Sequence, residues 1–300
     1  MAFNPTVIEK GLNARFAQEM APFQEARTIN PGLMRAALEI PSTSAYEKLG
    51  WFGAMPAVQQ WLGELNAKEF GGYDYTVKNL DWATAVPINE NDINDDQTAS
   101  LQTIPRLLVR RIMAHPMKLM VDLLINGDVN TAYDGKAFFS DVSAPRTIDN
   151  LLAGTGVTVA ALETDLIAAL VAMSKFTDDQ GEPLNLIGDL IVCPKALEYN
   201  FKKLVDSKSS PTATAGVDTY NPFAQGFEVI GDPRLDADDA NDWYLLCTNE
   251  AVKPFVYSNR QEARPGMEKK NLTKTWVYSA DYRGNGGYGI PHLAAKTVNT

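Results

Sequence analysis

Apolar residues recur at helical spacing between residues 100 and 127, the longest regular pattern in the chain. The stripe has members one helical turn apart, or two across the middle: Leu101, Ile104, Leu108, Ile112, Leu119 and Leu123. It predicts a helix buried on one side that would span about 40 Å if unbroken. Pro105 fits a first turn, Pro116 predicts a kink or a break, and Gly127 is placed to end the helix in the left-handed conformation.

Alternation of apolar and polar residues predicts an extended ribbon before this helix. Tyr73, Tyr75 and Val77 alternate with polar residues. A turn follows at Asn79, and a second alternating strand begins near Trp82. A two-stranded ribbon is only marginally stable in water, and the flanking sequence offers no core for it. We therefore expect residues 65–95 to project and to rest on something else.

The remaining sequence divides into an arm, an inserted unit and closing strands. Residues 1–45 predict one helix followed by sequence rich in Pro, Gly and Ser, which favours an arm. Between 150 and 250, strands alternate with helices and predict a compact α/β or α+β unit, whose polar loop 207–225 is expected to be mobile. The strands of 251–300 need partners from earlier in the chain. We predict a split domain with the unit 150–250 inserted.

Composition and charge restrict the function. Hydrophobic residues make up 45% and charged residues 21% of the 300 residues, as in ordinary soluble proteins. The sequence has no apolar run typical of a membrane helix and no signal peptide at its start, so a cytoplasmic location is the default expectation. A net charge of −10 argues against a protein whose main task is to grip phosphate backbones.

The sequence singles out no active site. Gly284, Gly286 and Gly289 have the spacing of a dinucleotide fingerprint. No helix or acidic residue follows as that site requires, so a tight glycine turn between strands is the better interpretation. The acidic turn 236–242 lacks the Gly and Glu of a calcium loop, and the two cysteines lie in apolar runs typical of buried thiols. We expect no catalytic residue, no metal and no cofactor.

Several stretches, taken in order, resemble a known family. They are LGWFGAMPAVQQWLGEL, YDYTVKNLDWATAVPINENDINDD, RLLVRRIMAHPMKLMVDLLING, and KPFVYSNRQEARP with GGYGIPHLAA. From Tyr46 to Ala295 this ordered set is similar to the Mu-like phage major head subunit, the gpT family. The resemblance implies the α+β fold of tailed-phage major capsid proteins, with an N-terminal arm, an extended β-hairpin loop, a peripheral domain on a long spine helix and an axial domain.

The predicted boundaries follow that layout. The arm is 1–45, the extended loop with its flanking elements is 46–98, the peripheral domain is 99–149 with 251–300, and the axial domain is 150–250. In this family the extended loop lies over a neighbouring subunit. The resemblance therefore supplies the missing support of the ribbon, which would be another copy of the chain.

The implied function is structural, without catalysis. Copies would assemble as hexamers and pentamers into an icosahedral shell that encloses double-stranded phage DNA without sequence-specific binding. Scaffold, maturation protease, portal and any decoration proteins would be separate partners. The location would be the virion capsid, after assembly in the host cytoplasm. The alternatives are an encapsulin-like compartment shell of the same fold and an α/β-domain enzyme.

Two sets of residues are expected to meet neighbouring subunits. The ribbon would contribute Tyr73, Tyr75, Val77 and Trp82. Residues 81–98 carry five acids and no base, whereas 251–300 carry eight bases against three acids. We expect these opposed blocks to meet between subunits, and the alternative is two solvated faces that never touch. Their members are Asp92, Asp95 and Asp96 in the acidic block, and Arg260, Arg264, Lys269 and Lys270 in the basic one.

Overall fold

The computed structural model describes residues 5–29, 32–52, 72–91, 103–141, 148–178, 181–211, 220–224, 226–270 and 273–299. The helices are α1 (Pro5–Ile29), α2 (Thr103–Ile125), α3 (Val159–Ser174), α4 (Lys195–Asp206) and α5 (Pro233–Asp236). The strands are β1 (Ala37–Pro41), β2 (Tyr46–Phe52), β3 (Gly72–Lys78), β4 (Leu80–Asn89), β5 (Leu151–Ala153), β6 (Leu190–Pro194), β7 (Glu228–Asp232), β8 (Trp243–Leu246), β9 (Phe255–Lys270), β10 (Thr275–Tyr288) and β11 (Ala294–Val298). None of the helices in the described ranges is long and apolar enough to cross a bilayer.

Helix α2 is the helix that the apolar stripe predicts. It continues through Pro116, so of the predicted kink or break the break is wrong, and the kink stays a prediction. Pro116 is buried between Ile112 and Leu119, which are also buried. Packing on both sides of the proline outweighs the roughly 3 kcal/mol that it costs in a helix interior.

The end of α2 also differs from the prediction. The chain passes into a 3-10 turn, Asn126–Asp128, and Gly127 is not among the glycines with positive φ. A left-handed cap at Gly127 is therefore wrong. Glycine fits here for a different reason, since a Cβ would lie 2.5 Å from Cδ2 of Phe139. The residue allows an aromatic ring to pack directly on the backbone.

A four-stranded sheet lies beside α2, with strand order β1-β9-β10-β4. Strands β9 and β10 form a long antiparallel hairpin, β4 is antiparallel to β10, and β1 is parallel to β9. Strand β4 does not pair with β3, so the predicted two-stranded ribbon over residues 73–86 is wrong. The second half of that segment is an edge strand of the sheet because its alternating inner residues find apolar partners on α2 and β10.

Strand β3, the first strand of the predicted ribbon, instead pairs antiparallel with β2, from Tyr46↔Lys78 to Phe52↔Gly72. The pair β2–β3 is called the ribbon below. This two-stranded sheet leads to residues 53–71, which lie outside the described residues. The prediction that residues 65–95 as a whole lack support in their own chain is wrong for three named side chains. Val77 is buried, and Tyr75 and Trp82 pack against the core.

A five-stranded sheet has the order β5-β11-β8-β6-β7. Helices α3 and α4 cover one face through a core that includes Leu166, Phe201 and Trp243. The other face packs against the C-terminal half of α2 through Leu190, Tyr244 and their neighbours. The sheet therefore lies between two cores.

The predicted boundaries need two corrections. Strand β11 (Ala294–Val298) was assigned to the peripheral domain, but it pairs with β5 and β8 in the five-stranded sheet. Strand β1 was assigned to the arm, but it pairs with β9. Both corrections have one cause. Short strands join whichever sheet edge can satisfy their backbone groups, and local sequence does not encode that choice.

Helix α1 packs on its own subunit. Leu12 and Phe16 are buried in a third core with Leu108 and Val109 of α2 and Tyr278 of β10. This contact fixes the inner part of the arm.

Gly284 and Gly286 of the glycine motif lie inside β10, and Gly289 directly follows the strand, so the predicted glycine turn is wrong. A Cβ at Gly284 would lie 2.6 Å from the carbonyl oxygen of Ser258, and one at Gly287 would lie 2.5 Å from Val77 Cγ2. A Cβ at Gly286 would lie 2.6 Å from Met120 Cε on α2. The glycines let α2 and the ribbon approach β10 closely, which is a recognised role of glycine in a strand.

Candidate inter-subunit surfaces

The ribbon is fixed to the sheet by a buried polar cluster around Asn79. Its Nδ2 donates to Ser42 Oγ at 2.7 Å and to the Ser44 carbonyl at 2.9 Å. Its Oδ1 accepts from Ser258 Oγ at 2.7 Å, and its backbone N–H donates to the carbonyl of Ala45. Asn79 is 3% exposed, so its amide holds β1, β3 and β9 together where water cannot substitute.

A second attachment lies along β3. The backbone N–H of Tyr288 donates to Tyr75 Oη at 3.3 Å, and Tyr288 Oη donates to the Leu123 carbonyl at 2.9 Å. Leu123 lies in the last turn of α2, where carbonyls lack helical partners. Burial raises the pKa of Tyr75, which keeps its hydroxyl neutral. Through Tyr288, the ribbon is thus connected to the C-terminal end of α2.

Removing the Asn79 amide is expected to loosen the ribbon. Asn79→Ala would leave the Ser258 hydroxyl and the Ser44 carbonyl without this partner, and we expect a loss of about 2 kcal/mol in the free energy of unfolding. Urea denaturation measures the loss, and limited proteolysis should show faster cleavage in 42–78. The exposed Asn91→Ala is the control and should stay within about 0.5 kcal/mol of the parent. Unchanged cleavage in Asn79→Ala would contradict the anchoring role.

Two residues of the basic block form ion pairs within their own chain. Lys269 Nζ lies 3.2 Å from Glu90 Oε1, and Arg264 Nε lies 3.0 Å from Asp281 Oδ2. Lys270 is exposed, and Arg260 Nη1 is buried without a hydrogen-bond partner in the described part of the chain. Asp92, Asp95 and Asp96 lie outside the described residues. The structure therefore brings the edge of the acidic block, at Glu90, to the basic block of the same subunit.

Trp82 belongs to an aromatic cluster between α2 and the sheet. Its indole N–H donates to the Gly284 carbonyl at 2.9 Å, and its ring lies 4.5 Å from that of His115. His115 Nδ1 and Tyr282 Oη are 2.5 Å apart. Burial and the charge of Lys118 lower the pKa of His115, whereas Asp122 raises it slightly. Trp82, His115 and Tyr282 line a small cavity, and Arg111 lines it as well.

The lowered pKa of His115 predicts acid sensitivity. A histidine whose folded pKa lies below its unfolded value of about 6.5 stabilises the fold above that value, and the contribution is lost as the pH falls. We expect the free energy of unfolding to decrease between pH 7.5 and 5 by less in His115→Gln than in the parent. Urea denaturation at both pH values measures this difference. Equal pH dependence in the two proteins would show that His115 does not contribute.

The base of the loop 207–225 is ordered by Asn221. Its Nδ2 donates to the carbonyls of Leu204 and Ser207, at 2.6 and 2.8 Å. Tyr220 beside it is 78% exposed. Residues 212–219 and 225 lie outside the described residues, so the mobility of the loop stays a prediction.

The described residues offer little that resembles catalytic chemistry. No group of three or more His, Cys, Asp or Glu within them could hold a metal ion. Cys193 and Cys247 are buried free thiols, as the sequence predicted, and burial raises the pKa of Cys193 to about 12. A thiol with that pKa is a poor nucleophile at neutral pH.

A family model matches this sequence over nearly its full length. The Mu-like prophage major head subunit gpT model matches residues 7–160, 155–235 and 232–300. The chain belongs to the gpT family. The resemblance predicted from the ordered stretches is therefore confirmed.

Two curated relatives agree with the family. The Mu-like prophage FluMu major head subunit of Haemophilus influenzae is 23% identical over 264 residues, which cover 86% of this chain and 63% of that protein. The major capsid protein of Escherichia phage Mu is 26% identical over 105 residues, which cover 35% of this chain and 34% of that protein. The match spans less than two thirds of the length of either relative.

Solved structures show the same fold. A capsid of bacteriophage JBD30, decorated with minor capsid protein trimers, has a TM-score of 0.60 at 20% identity over 69% of this chain and 91% of that chain. The JBD30 procapsid has a TM-score of 0.53 at 22% identity, and the match covers 99% of this chain and 77% of that chain. A structure from Microbacterium phage Oxtober96 has a TM-score of 0.59 at 13% identity, and the match covers 90% of this chain and 91% of that chain. The predicted tailed-phage major capsid fold is confirmed.

Sequence patterns missed the residues that join the parts of this fold. Asn79 was assigned only to a turn, and Asn150 was not singled out. Asn150 Nδ2 lies within hydrogen-bonding distance of the carbonyls of Phe138, Pro291 and Ala294, which share its two hydrogens, and its side chain is fully buried. An asparagine beside a strand is an ordinary turn signal, so nothing in one sequence marks these two as buried.

Proposed function

We propose that the chain is the repeating subunit of a closed icosahedral shell that encloses double-stranded phage DNA. The observation that carries this is the gpT family match over nearly the whole chain, on a fold shared with phage capsid structures. Such a subunit functions by associating with further copies of the same chain. Separate scaffold, protease, portal and decoration proteins, assembly in the host cytoplasm and a final place in the virion belong to the same proposal.

The ribbon remains the best candidate for contact with a neighbouring copy. Its inner part is held by its own subunit through Asn79 and Tyr75, so we place the contact beyond it, on the exposed edge of β2–β3 and the segment 53–71. Tyr46, 53% exposed, marks that surface. Contact through Tyr73, Tyr75, Val77 or Trp82 stays a prediction, and for Val77 it would require the ribbon to lift from β10.

Electron microscopy of the purified full-length protein tests the proposal. We expect closed shells, and particles isolated from an infected host should contain double-stranded DNA. Shells that contain an enzyme and no nucleic acid would indicate an encapsulin-like compartment. A protein that stays a small oligomer at all concentrations would contradict the shell itself and favour the enzyme alternative.

Charge reversal tests the contact between the acidic and basic blocks. We expect Asp92→Lys, Asp95→Lys and Asp96→Lys together to slow assembly at low salt, with a difference that fades as salt rises, because surface charges are screened beyond about 8–10 Å. Each exposed pair contributes only about 0.2–1 kcal/mol, so the effect should appear in the assembly rate, measured by light scattering. A parental rate at low salt would leave both blocks as solvated faces.

A further inference from the structure

The solvent face of α2 carries a basic stripe, which we define as Arg106, Arg110, Arg111 and Lys118. All four are exposed. At 3.6 residues per turn, or about 100° per residue, they fall within an arc of about 140° around the helix axis. From Arg106 to Lys118 the stripe is about 18 Å long, at about 1.5 Å per residue. The opposite side of the helix is buried in two cores.

Few of the described residues neutralise the stripe. Arg106 lies 3.9 Å from Glu19 of α1, a distant ion pair whose arginine side chain is 73% exposed. Arg110, Arg111 and Lys118 form no ion pair with another described residue. Asp122, one turn beyond Lys118, is the nearest acid along the helix. Four bases on one helix face are a marked local exception in a chain of net charge −10.

We propose that this stripe contacts the phosphate backbone of double-stranded DNA. This inference rests on the proposed shell, in which one wall faces the enclosed DNA. Charge complementarity carries it, because duplex DNA presents one negative charge per about 1.7 Å of axis, or about ten along the stripe. Three of the four bases are arginines, whose planar fork suits phosphate oxygens. The stripe reads no sequence, since phosphate contacts only position a protein on DNA.

The chain as a whole stays too acidic for tight DNA binding, and this agrees with the inference. A shell that packages DNA needs contacts that are weak, numerous and independent of sequence. The stripe concentrates positive charge on the rigid element of the subunit, where the helix fixes its orientation. Many copies in a shell would then line the enclosed DNA with separate patches.

The test compares two charge-matched variants of the full chain. The stripe variant, Arg110→Gln with Arg111→Gln and Lys118→Gln, removes three of the four bases of the stripe. Lys175→Gln, Lys203→Gln and Lys208→Gln together remove three exposed bases elsewhere. Fluorescence anisotropy with a labelled 30-base-pair duplex of mixed sequence gives the affinity of unassembled subunits between 50 and 200 mM salt. Sedimentation measures whether each variant still forms shells.

We expect the stripe variant to form shells and to lose at least tenfold in affinity for the duplex at 50 mM salt. Its log–log salt slope should fall by about 2.7, because each lost phosphate contact removes about 0.9. The control should keep the parental slope. Arg110→Lys should also keep it, since the charge remains.

Three results would overturn the inference. One is a stripe variant with the same duplex affinity and slope as the control. Another is loss of shells with an unchanged slope, which would place a second copy of the chain on the stripe. The third concerns a parallel titration with poly-L-glutamate. If the stripe variant loses binding to poly-L-glutamate but keeps binding to the duplex, the partner of the stripe is an acidic protein. Failure of the parent to form shells would instead contradict the proposed function, and the slope comparison would still test the stripe.

Discussion

Lys296→Met is expected to destabilise the subunit by about 3–5 kcal/mol, the cost of breaking a buried ion pair. Lys296 is 5% exposed, and its Nζ lies 3.1 Å from Asp128 Oδ2 and 3.3 Å from Asp242 Oδ2. Burial already raises the pKa of Asp242. Methionine has a similar shape but would leave the Asp242 carboxylate buried without its cation. Urea denaturation of unassembled subunits measures the loss.

Two comparisons separate this effect from simple loss of packing. Lys296→Met combined with Asp242→Asn removes both charges, so we expect it to recover much of the lost stability. A carboxyl with a raised pKa is favoured in its protonated form, so the loss in Lys296→Met should shrink as the pH falls toward 4. The exposed Lys270→Met is the control. An equal loss in the single and double variants would show that the charge of Asp242 is not the cause.

Gly284→Ala is expected to destabilise the subunit by about 3 kcal/mol, at the upper end of ordinary overpacking. The new Cβ would lie 2.6 Å from the Ser258 carbonyl oxygen on β9. That atom is backbone and cannot turn away as a side chain could. Trp82, which donates to the Gly284 carbonyl, would move with any shift of β10. Denaturation measured by tryptophan fluorescence reports both the stability and this displacement.

A graded series of glycine variants controls for the substitution itself. A Cβ at Gly266 meets only Ser279 Oγ at 3.2 Å, so Gly266→Ala should cost less than Gly284→Ala. Gly11 lies in α1 with no atom within 4 Å of a new Cβ. Gly11→Ala should stabilise the helix by up to about 1 kcal/mol. Equal effects at all three positions would show that close approach of the strands does not explain the motif.

The sequence by itself determined the elements whose signal is local. The apolar stripe at 101–123 predicted α2 because a helix repeats its buried positions every three or four residues. The ordered stretches from Tyr46 to Ala295 predicted the family and, through it, the fold. The buried cysteines were also readable, since their apolar neighbours decide them, but the composition of the acidic turn 236–242 did not show that Asp242 is buried against Lys296.

Only the tertiary structure decided which strands pair and which residues hold the parts together. Strand β4 pairs with β10 from Asn89↔Thr275 to Leu80↔Gly284, although the two strands lie far apart in the sequence. Alternation shows that a strand has two faces, but it does not name the partner or the edge. The roles of Gly284, Asn79 and Lys296 likewise depend on atoms that come from distant parts of the chain. Their close contacts exist only after distant strands have met, so no local pattern can encode them.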